Sequence, residues 1–296
     1  VSVAENQAPG ELFGDERAEK NRARITSGIV LRQVVLIGAT LIALAPGVFM
    51  FMTAFKSQEE YVFDKVAFPD QIVLDNFRNA LVDNPFLLWM RNSAILAAGA
   101  VVLSTVVAAL AAYAIARMQF RGRDTLLSIS TSLMVIPPVV MIVPLFVLYA
   151  QIDLISTFHG VILIYAGLTA PFSVYLLTSF FRTIPTEIIE AALIDGATPF
   201  GVLWRVVLPL SWPPVVTLFV VNALYVWNDL LLALIFLQRD DMRTLMAGIS
   251  VFQGRYNNQI PLTMAGMIMA SAPMLMLYIL FQRYFIRGLV AGALKG

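Results

Sequence analysis

Residues 190–209 read EAALIDGATPFGVLWRVVLP and carry Glu190, Asp195 and Arg205, in a 296-residue chain that is 59% hydrophobic and only 13% charged. Such a segment stands out as a charged, glycine-punctuated interruption between long apolar blocks. Just upstream, Pro185 suits the first turn of a helix, where its missing N–H would have no intrahelical partner. Glu187 and Glu190 fall in the early turns, where the positive end of the helix dipole favours carboxylates. Gly196 suits the left-handed position just past a helix end. Thr198 followed by Pro199 is an N-cap and first-turn pair, and Pro209 is predicted to disrupt the second helix about three turns later. The spacing therefore predicts helix, glycine turn, helix over about 185–209. An apolar stripe of Ile188, Ile189, Ala192 and Leu193 remains, which so short a helix cannot cover by itself.

Working outward, the mean hydropathy of +0.80 is more than one soluble domain could bury. A spanning helix needs about 20 mostly apolar residues, and that test selects 33–55, 92–116, 126–150, 160–181, 211–236 and 263–285. The short alternating segments of an outer-membrane barrel are not seen. The first segment is too long for a cleaved signal peptide, contains Pro46 and lacks a small-residue cleavage site, so it is expected to stay in the membrane. The sequence thus predicts an all-α integral membrane protein of six transmembrane helices, with 29–296 as the membrane domain and 1–28 as a mobile or interfacial tail. A surface helix over 11–24 is the lesser alternative for the tail.

Lys and Arg bias sets the orientation. Six spans put both termini on one side. Arg17, Lys20, Arg22, Arg24, Arg32, Arg117, Arg121, Arg123, Arg182, Arg205, Arg283, Arg287 and Lys295 fall on that side. The other side has Lys56, Lys65, Arg78, Arg91, Arg239, Arg243 and Arg255. Both termini and the 185–209 module are therefore expected in the cytoplasm, and the acid-rich 56–90 loop outside. Topology accounts for the basic residues, so the net charge of +1 gives no reason to expect nucleic-acid binding.

Several activities lose their residues at this stage. With no cysteine there is neither a disulfide framework nor a thiolate metal site. His159, the only histidine, sits at the outer start of the fourth span, poorly placed as a base for Ser128, Ser130, Ser132, Ser173 or Ser271 in an intramembrane hydrolase. The four lysines never follow glycine, so no phosphate-binding loop of the G-x-x-x-x-G-K-[ST] kind is present. No repeat of 20–50 residues is visible, an argument against repeat-built secondary transporters.

Within the spans, Ala97, Val101, Ser104 or Thr105, Ala108 and Ala112 recur about every four positions, the spacing of a small face for close helix packing. Proline occurs in the other five spans, and its freed carbonyls are expected to face neighbouring helices or a wet cavity. Asp229 is the conspicuous intramembrane acid, at a cost of about 2.5–3.5 kcal/mol for a helix centre on insertion scales. It shares a helical face with Asn222 and Tyr225, and Tyr165, Thr169 and Phe172 repeat the spacing in the fourth span. These six residues form a candidate path for a polar solute, with a helix-to-helix hydrogen bond as the structural alternative for Asp229.

The module resembles the shared signature of the membrane permeases of ATP-binding-cassette importers: E-A-A, three residues, G, nine residues, an aliphatic residue, one residue, then L-P. Here it falls on Glu190, Ala191, Ala192, Gly196, Val206, Leu208 and Pro209, with valine where isoleucine is commonest. Trp227–Asn228–Asp229 and the ending GLVAGALKG are similar to the carbohydrate-importer branch, the second permease of maltose-type systems. The resemblance implies that the first short helix, with Asp195 and Ala197 beside the signature, is a coupling helix docking on a separate ATPase subunit. It further implies a companion permease forming the other half of the pore, two cytoplasmic ATPases that bind ATP and Mg, and an extracytoplasmic solute-binding protein. No cofactor is expected in this chain. The same architecture serving a glycerol phosphodiester, or an ion-coupled secondary transporter using Asp229, are the alternatives.

Overall fold

The computed structural model describes residues 9–252 and 259–293, and side chains over 29–252 and 259–284. All regular structure among them is helical. Helix α1 (Pro9–Ala54) leads to two short helices, α2 (Gln58–Phe63) and α3 (Asp75–Val82). The bundle follows as α4 (Phe86–Arg117), α5 (Arg123–Leu133), α6 (Pro138–Gln151) and α7 (Phe158–Phe181). Next come α8 (Thr186–Ile194), α9 (Pro199–Val202), a π-helical turn (Leu203–Val207), α10 (Leu208–Leu210), α11 (Trp212–Asn228) and α12 (Leu231–Phe236). A 3₁₀ turn (Asp240–Met242), α13 (Leu245–Ser250) and α14 (Ile260–Ala293) complete the chain. The backbone of α1 is helical from Pro9, inside the stretch read as a tail. The GLVAGALKG ending lies outside the described side chains, and its last three residues outside the described backbone.

Ile29–Ala54, Phe86–Arg117, Phe158–Phe181 and Ile260–Tyr284 are each long and apolar enough to cross a membrane. Two bent helix pairs, 123–151 and 199–228, bring the number to six where each counts as one broken span. The expected third span is not one helix: α5 and α6 meet at 98° across 134–137. Pro137 and Pro138 explain the break, since proline donates no N–H and pushes the residue before it out of helical geometry. The expected fifth span over 211–236 is also interrupted. Its helix stops at Asn228, and Asp229 is extended (φ −71°, ψ 129°) before α12 begins.

The centre of the bundle is α4 against α7. Ala97, Val101, Ser104, Ala108 and Ala112 are all buried, whereas Thr105 is only partly so, which resolves the small face in favour of Ser104. At Gly99 an added Cβ would lie 2.6 Å from Ile162 Cδ1, a measure of how closely the helices approach. Four polar side chains inside this contact, Ser104, Thr169, Ser173 and Asn222, bond to one another. Thr169 Oγ1 donates to Ser104 Oγ (2.9 Å), the Ser104 and Ser173 hydroxyls share a bond (3.2 Å), and Asn222 Nδ2 donates to Ser173 Oγ (2.9 Å). One ladder thereby ties α4, α7 and α11 together where water is absent. Of the span prolines, Pro214 is buried and Pro171, Pro213 and Pro273 are partly so, but Pro46, Pro137, Pro138 and Pro144 lie on open faces of the single chain. At those four positions this chain alone does not cover the proline.

At the far end from the module, the fully buried Lys56 donates from Nζ to the Asp64 carbonyl (2.8 Å), and Asn76 Nδ2 bridges the Ala54 and Lys56 carbonyls (2.8 Å each). The Ala67 and Val66 N–H groups donate to Asp64 Oδ1 and hold its carboxyl below the ordinary carboxylate value.

The small face makes a direct prediction. Ala108→Leu adds volume where no space exists and should cost about 1–3 kcal/mol, lowering the melting temperature of the detergent-solubilised protein. Val102→Leu on the exposed side of the same helix should leave it unchanged.

Candidate functional site

The 185–209 module is built much as its residues dictate. Thr186–Ile194 is helical behind Pro185, Gly196 takes φ +86°, and Thr198 Oγ1 accepts from the Gly201 N–H (3.1 Å) to start α9. Two backbone bonds close the end of α8: Ala197 N–H to the Ala192 carbonyl and Gly196 N–H to the Leu193 carbonyl, both 3.0 Å. This paired closure is the Schellman arrangement, and it explains why a glycine must follow Asp195 in the chain. Pro209 does not end the second helix. The π-helical turn, in which Leu208 N–H reaches the Leu203 carbonyl, absorbs the misfit that proline creates with the preceding turn, and helix continues to Leu210. The chain then bends by 81° into α11.

The expected apolar stripe divides in two. Ile189 is buried and Ala192 packs beside it, within a core that includes Ala109, Ala112 and Tyr113 of α4, Leu177 and Phe181 of α7, and Val202, Leu203 and Val207. Ile188 and Leu193 flank this buried face and are partly exposed (41% and 43%), while Ile194 (87%) lies on the opposite side of α8 with Glu187 and Glu190; Ala191, Asp195 and Pro209 are also exposed, and Leu208 and Ala197 are half-buried. The module is thus fixed to the bundle by one face, with apolar side chains exposed at the edges of that face and Ile194 exposed among acids on the other. Arg117 reinforces the joint: its guanidinium donates to the carbonyls of Phe181, the last residue of α7, and of Ile184 in the turn that follows, and to Thr186 Oγ1 at 3.5 Å. Arg182 pairs with Asp124 at 2.8 Å, linking α7 to α5. Sequence reading assigned both arginines to topology alone; that Arg117 ends a span and faces the start of the module was the available signal.

The candidate path residues separate into three environments. Tyr165 is fully buried, and its hydroxyl donates to Asp229 Oδ1 (2.7 Å). The same oxygen accepts the Leu232 (3.0 Å) and Ala233 (3.3 Å) N–H groups, so Asp229 caps α12 as well as joining α11 to α7. Thr169 and Asn222 are buried in the hydroxyl ladder, yet with Phe172 and Tyr225 they reach the wall of a cavity of about 520 Å³ at the bend between α5 and α6. Tyr225 and Asp229 share a second cavity of about 540 Å³ with Asn228 and Tyr278. The three-residue face Asn222–Tyr225–Asp229 is therefore not one continuous helical stripe, because the helix ends before its last member. Ser104 and Ser173 are central to the ladder, although the sequence offers the first only as part of a small face and the second only as a span serine without a base. Trp227 donates from Nε1 to the Ala270 carbonyl (3.0 Å), fixing α11 to α14.

Residues 104–290 match the family described as binding-protein-dependent transport system inner membrane component. The chain belongs to that family. It is 33% identical over 271 residues, 91% of this chain and 95% of the relative, to the sulfoquinovosyl glycerol transport system permease protein SmoH of Agrobacterium fabrum. It is 32% identical over 272 residues, 89% of this chain and 97% of the relative, to the melibiose/raffinose/stachyose import permease protein MelC of Bacillus subtilis. Among solved structures, a bacterial ABC transporter involved in import of the acidic polysaccharide alginate superposes with a TM-score of 0.73, at 21% identity, over 96% of this chain and all of that one. This protein is accordingly a multi-pass inner-membrane permease, and the expected family resemblance stands.

Gly196 offers the sharpest test of the module's construction. A Cβ in the left-handed region costs roughly 1–2 kcal/mol. Gly196→Ala should therefore weaken hydrogen-exchange protection of the Ala197 amide, while Gly196→Asn, which tolerates that conformation better, should retain more of it.

Proposed function

We propose that this chain is one permease of an ATP-driven saccharide importer, forming the pore with a companion permease and placing both termini and the α8 module in the cytoplasm. Two ATPase subunits, which bind ATP and Mg, dock on α8 and its counterpart, and an external solute-binding protein delivers the sugar. The observation that carries the reading is the division of the module's apolar residues: Ile189 locks α8 into the bundle core while Ile188 and Leu193 at its flanks and Ile194 on its outward side stay exposed. An apolar surface on a helix so short has a use only if something covers it, and the E-A-A-G signature sits on that helix. The permeases for sulfoquinovosyl glycerol and for melibiose, raffinose and stachyose support a glycoside as cargo. A solved relative, at a TM-score of 0.66, is in complex with a periplasmic protein carrying an alginate pentasaccharide, which supports delivery by a binding protein.

Mechanistically, closure of the ATPases pushes on α8. Because Arg117 and the Ile189 core join α8 to the ends of α4 and α7, the push is delivered to the bundle as a rigid-body movement. The bends at 134–137 and at Ser211, where helix continuity is already lost, are the places at which the bundle opens and closes around the cavity.

Proteoliposomes decide the matter. The chain reconstituted alone should neither hydrolyse ATP nor take up sugar. With companion permease, ATPases and binding protein, uptake should follow ATP and persist with an uncoupler present. Uptake by the chain alone, driven by an ion gradient, would overturn the proposal.

A further inference from the structure

The two cavities beside α11 are uneven in charge. The first is lined mainly by aliphatic side chains, with Phe172 and the rings of Tyr149 and Tyr225, and with Thr169 and Asn222 as polar points. The second adds Asn228, Tyr278 and the carboxylate of Asp229. No lysine, arginine or histidine lines either cavity among the described residues. Tyr225 belongs to both, so a solute in one is close to the other.

Asp229 is also unevenly used. The Tyr165 hydroxyl and the Leu232 and Ala233 N–H groups all donate to Oδ1, while Oδ2 receives no hydrogen bond from the described residues. One oxygen therefore fixes the side chain in place, with the other left to accept a hydroxyl. Anchoring through Tyr165 and the α12 N-terminus also prevents the carboxylate from swinging away when an unsuitable solute arrives. A sugar hydroxyl can donate to Oδ2 and the sugar's C–H face can rest on Tyr225. A uronate, sulfonate or phosphate at the same place meets a fixed negative charge with no cation nearby on this chain.

We propose that Asp229 is a specificity-determining residue that admits neutral saccharides to this chain's side of the pore and disfavours anionic ones. The inference rests on the saccharide-import reading and sharpens it: the cargo class is the uncharged glycoside, as in the name of the melibiose/raffinose/stachyose permease, and not the sulfonated kind in that of the sulfoquinovosyl glycerol permease. It concerns the permease cavity itself, independently of whatever selection the binding protein makes.

The test measures ligand contact with the whole assembly, companion permease and ATPases included, in nanodiscs at low ionic strength and without binding protein. The probes are methyl α-glucopyranoside and methyl α-glucuronopyranoside, which share a ring and differ in charge, followed by saturation-transfer NMR. Wild type should favour the neutral probe by roughly tenfold, the scale of a unit-charge repulsion across about 10 Å of partly screened interior. Asp229→Asn keeps the cap and an acceptor for Tyr165 while removing the charge, and should bring the two probes to near parity by improving the glucuronide. Tyr225→Ala should weaken both together. Equal binding of the probes to wild type, or an unchanged ratio in Asp229→Asn, would overturn the proposal. Absence of signal from either probe would likewise reject a saccharide site here, yet would leave ATP-driven uptake intact; loss of that uptake in proteoliposomes would instead remove the import reading beneath it.

Discussion

Close approach of α4 to α7 is the constraint on which the rest of the structure depends. Hydrocarbon gives no water to satisfy a hydroxyl or amide, so polar side chains in the spans must meet one another, and they can do so only where backbones come close. The run from Ala97 to Ala112 supplies that closeness, and Ser104, Thr169, Ser173 and Asn222 use it. Once the ladder has fixed α4, α7 and α11, Tyr165 stands where its hydroxyl reaches Asp229, and the break in the fifth span can be capped rather than left open. The same pair of helices carries the core into which Ile189, Val202 and Val207 of the module insert. Pore wall and surface module are thus extensions of one packed contact.

That arrangement gives the polar residues of the spans two uses that are not in conflict. Thr169 and Asn222 hold helices together with some of their atoms and reach the cavity wall with others. Asp229 divides its two oxygens in the same way. An acid inside the membrane must be fixed by donors before it can be tolerated, and the donors to Oδ1 hold Asp229 at the wall of the second cavity.

Much of the module was legible because its signals are local. A glycine forced to positive φ and a Thr-Pro helix start act through their immediate neighbours, and Gly196 and Thr198 sit as those rules require, whereas Pro185 stands at the N-cap of α8 (φ −56°, ψ 135°), one position before the expected first turn. The number of apolar blocks was legible for the same reason. What could not be read were consequences of packing between segments far apart in sequence. The capping of α12 by Asp229 depends on a helix end that periodicity alone does not reveal, since 218–236 is apolar apart from Asn222, Tyr225, Asn228 and Asp229 and neither glycine nor proline marks the break. The inward turn of Ile189 and the outward turn of Ile188 depend on where α4 and α7 lie. Arg117 looked like a topology marker because its acceptors, the Phe181 and Ile184 carbonyls, are more than sixty residues away.

On the proposed mechanism α8 moves as one body with the ends of α4 and α7. The chain has no cysteine, so paired spin labels can be introduced without background. Labels at the exposed positions Glu187 on α8 and Ser179 on α7 report the joint directly. Distances measured by pulsed electron resonance in the assembled complex, nucleotide-free and ATP-trapped, should show an unchanged Glu187–Ser179 distribution while a Ser179–Met134 pair across the α5–α6 bend shifts. A Glu187–Ser179 distance that changes by several ångströms on ATP binding, with Ser179–Met134 fixed, would contradict the account.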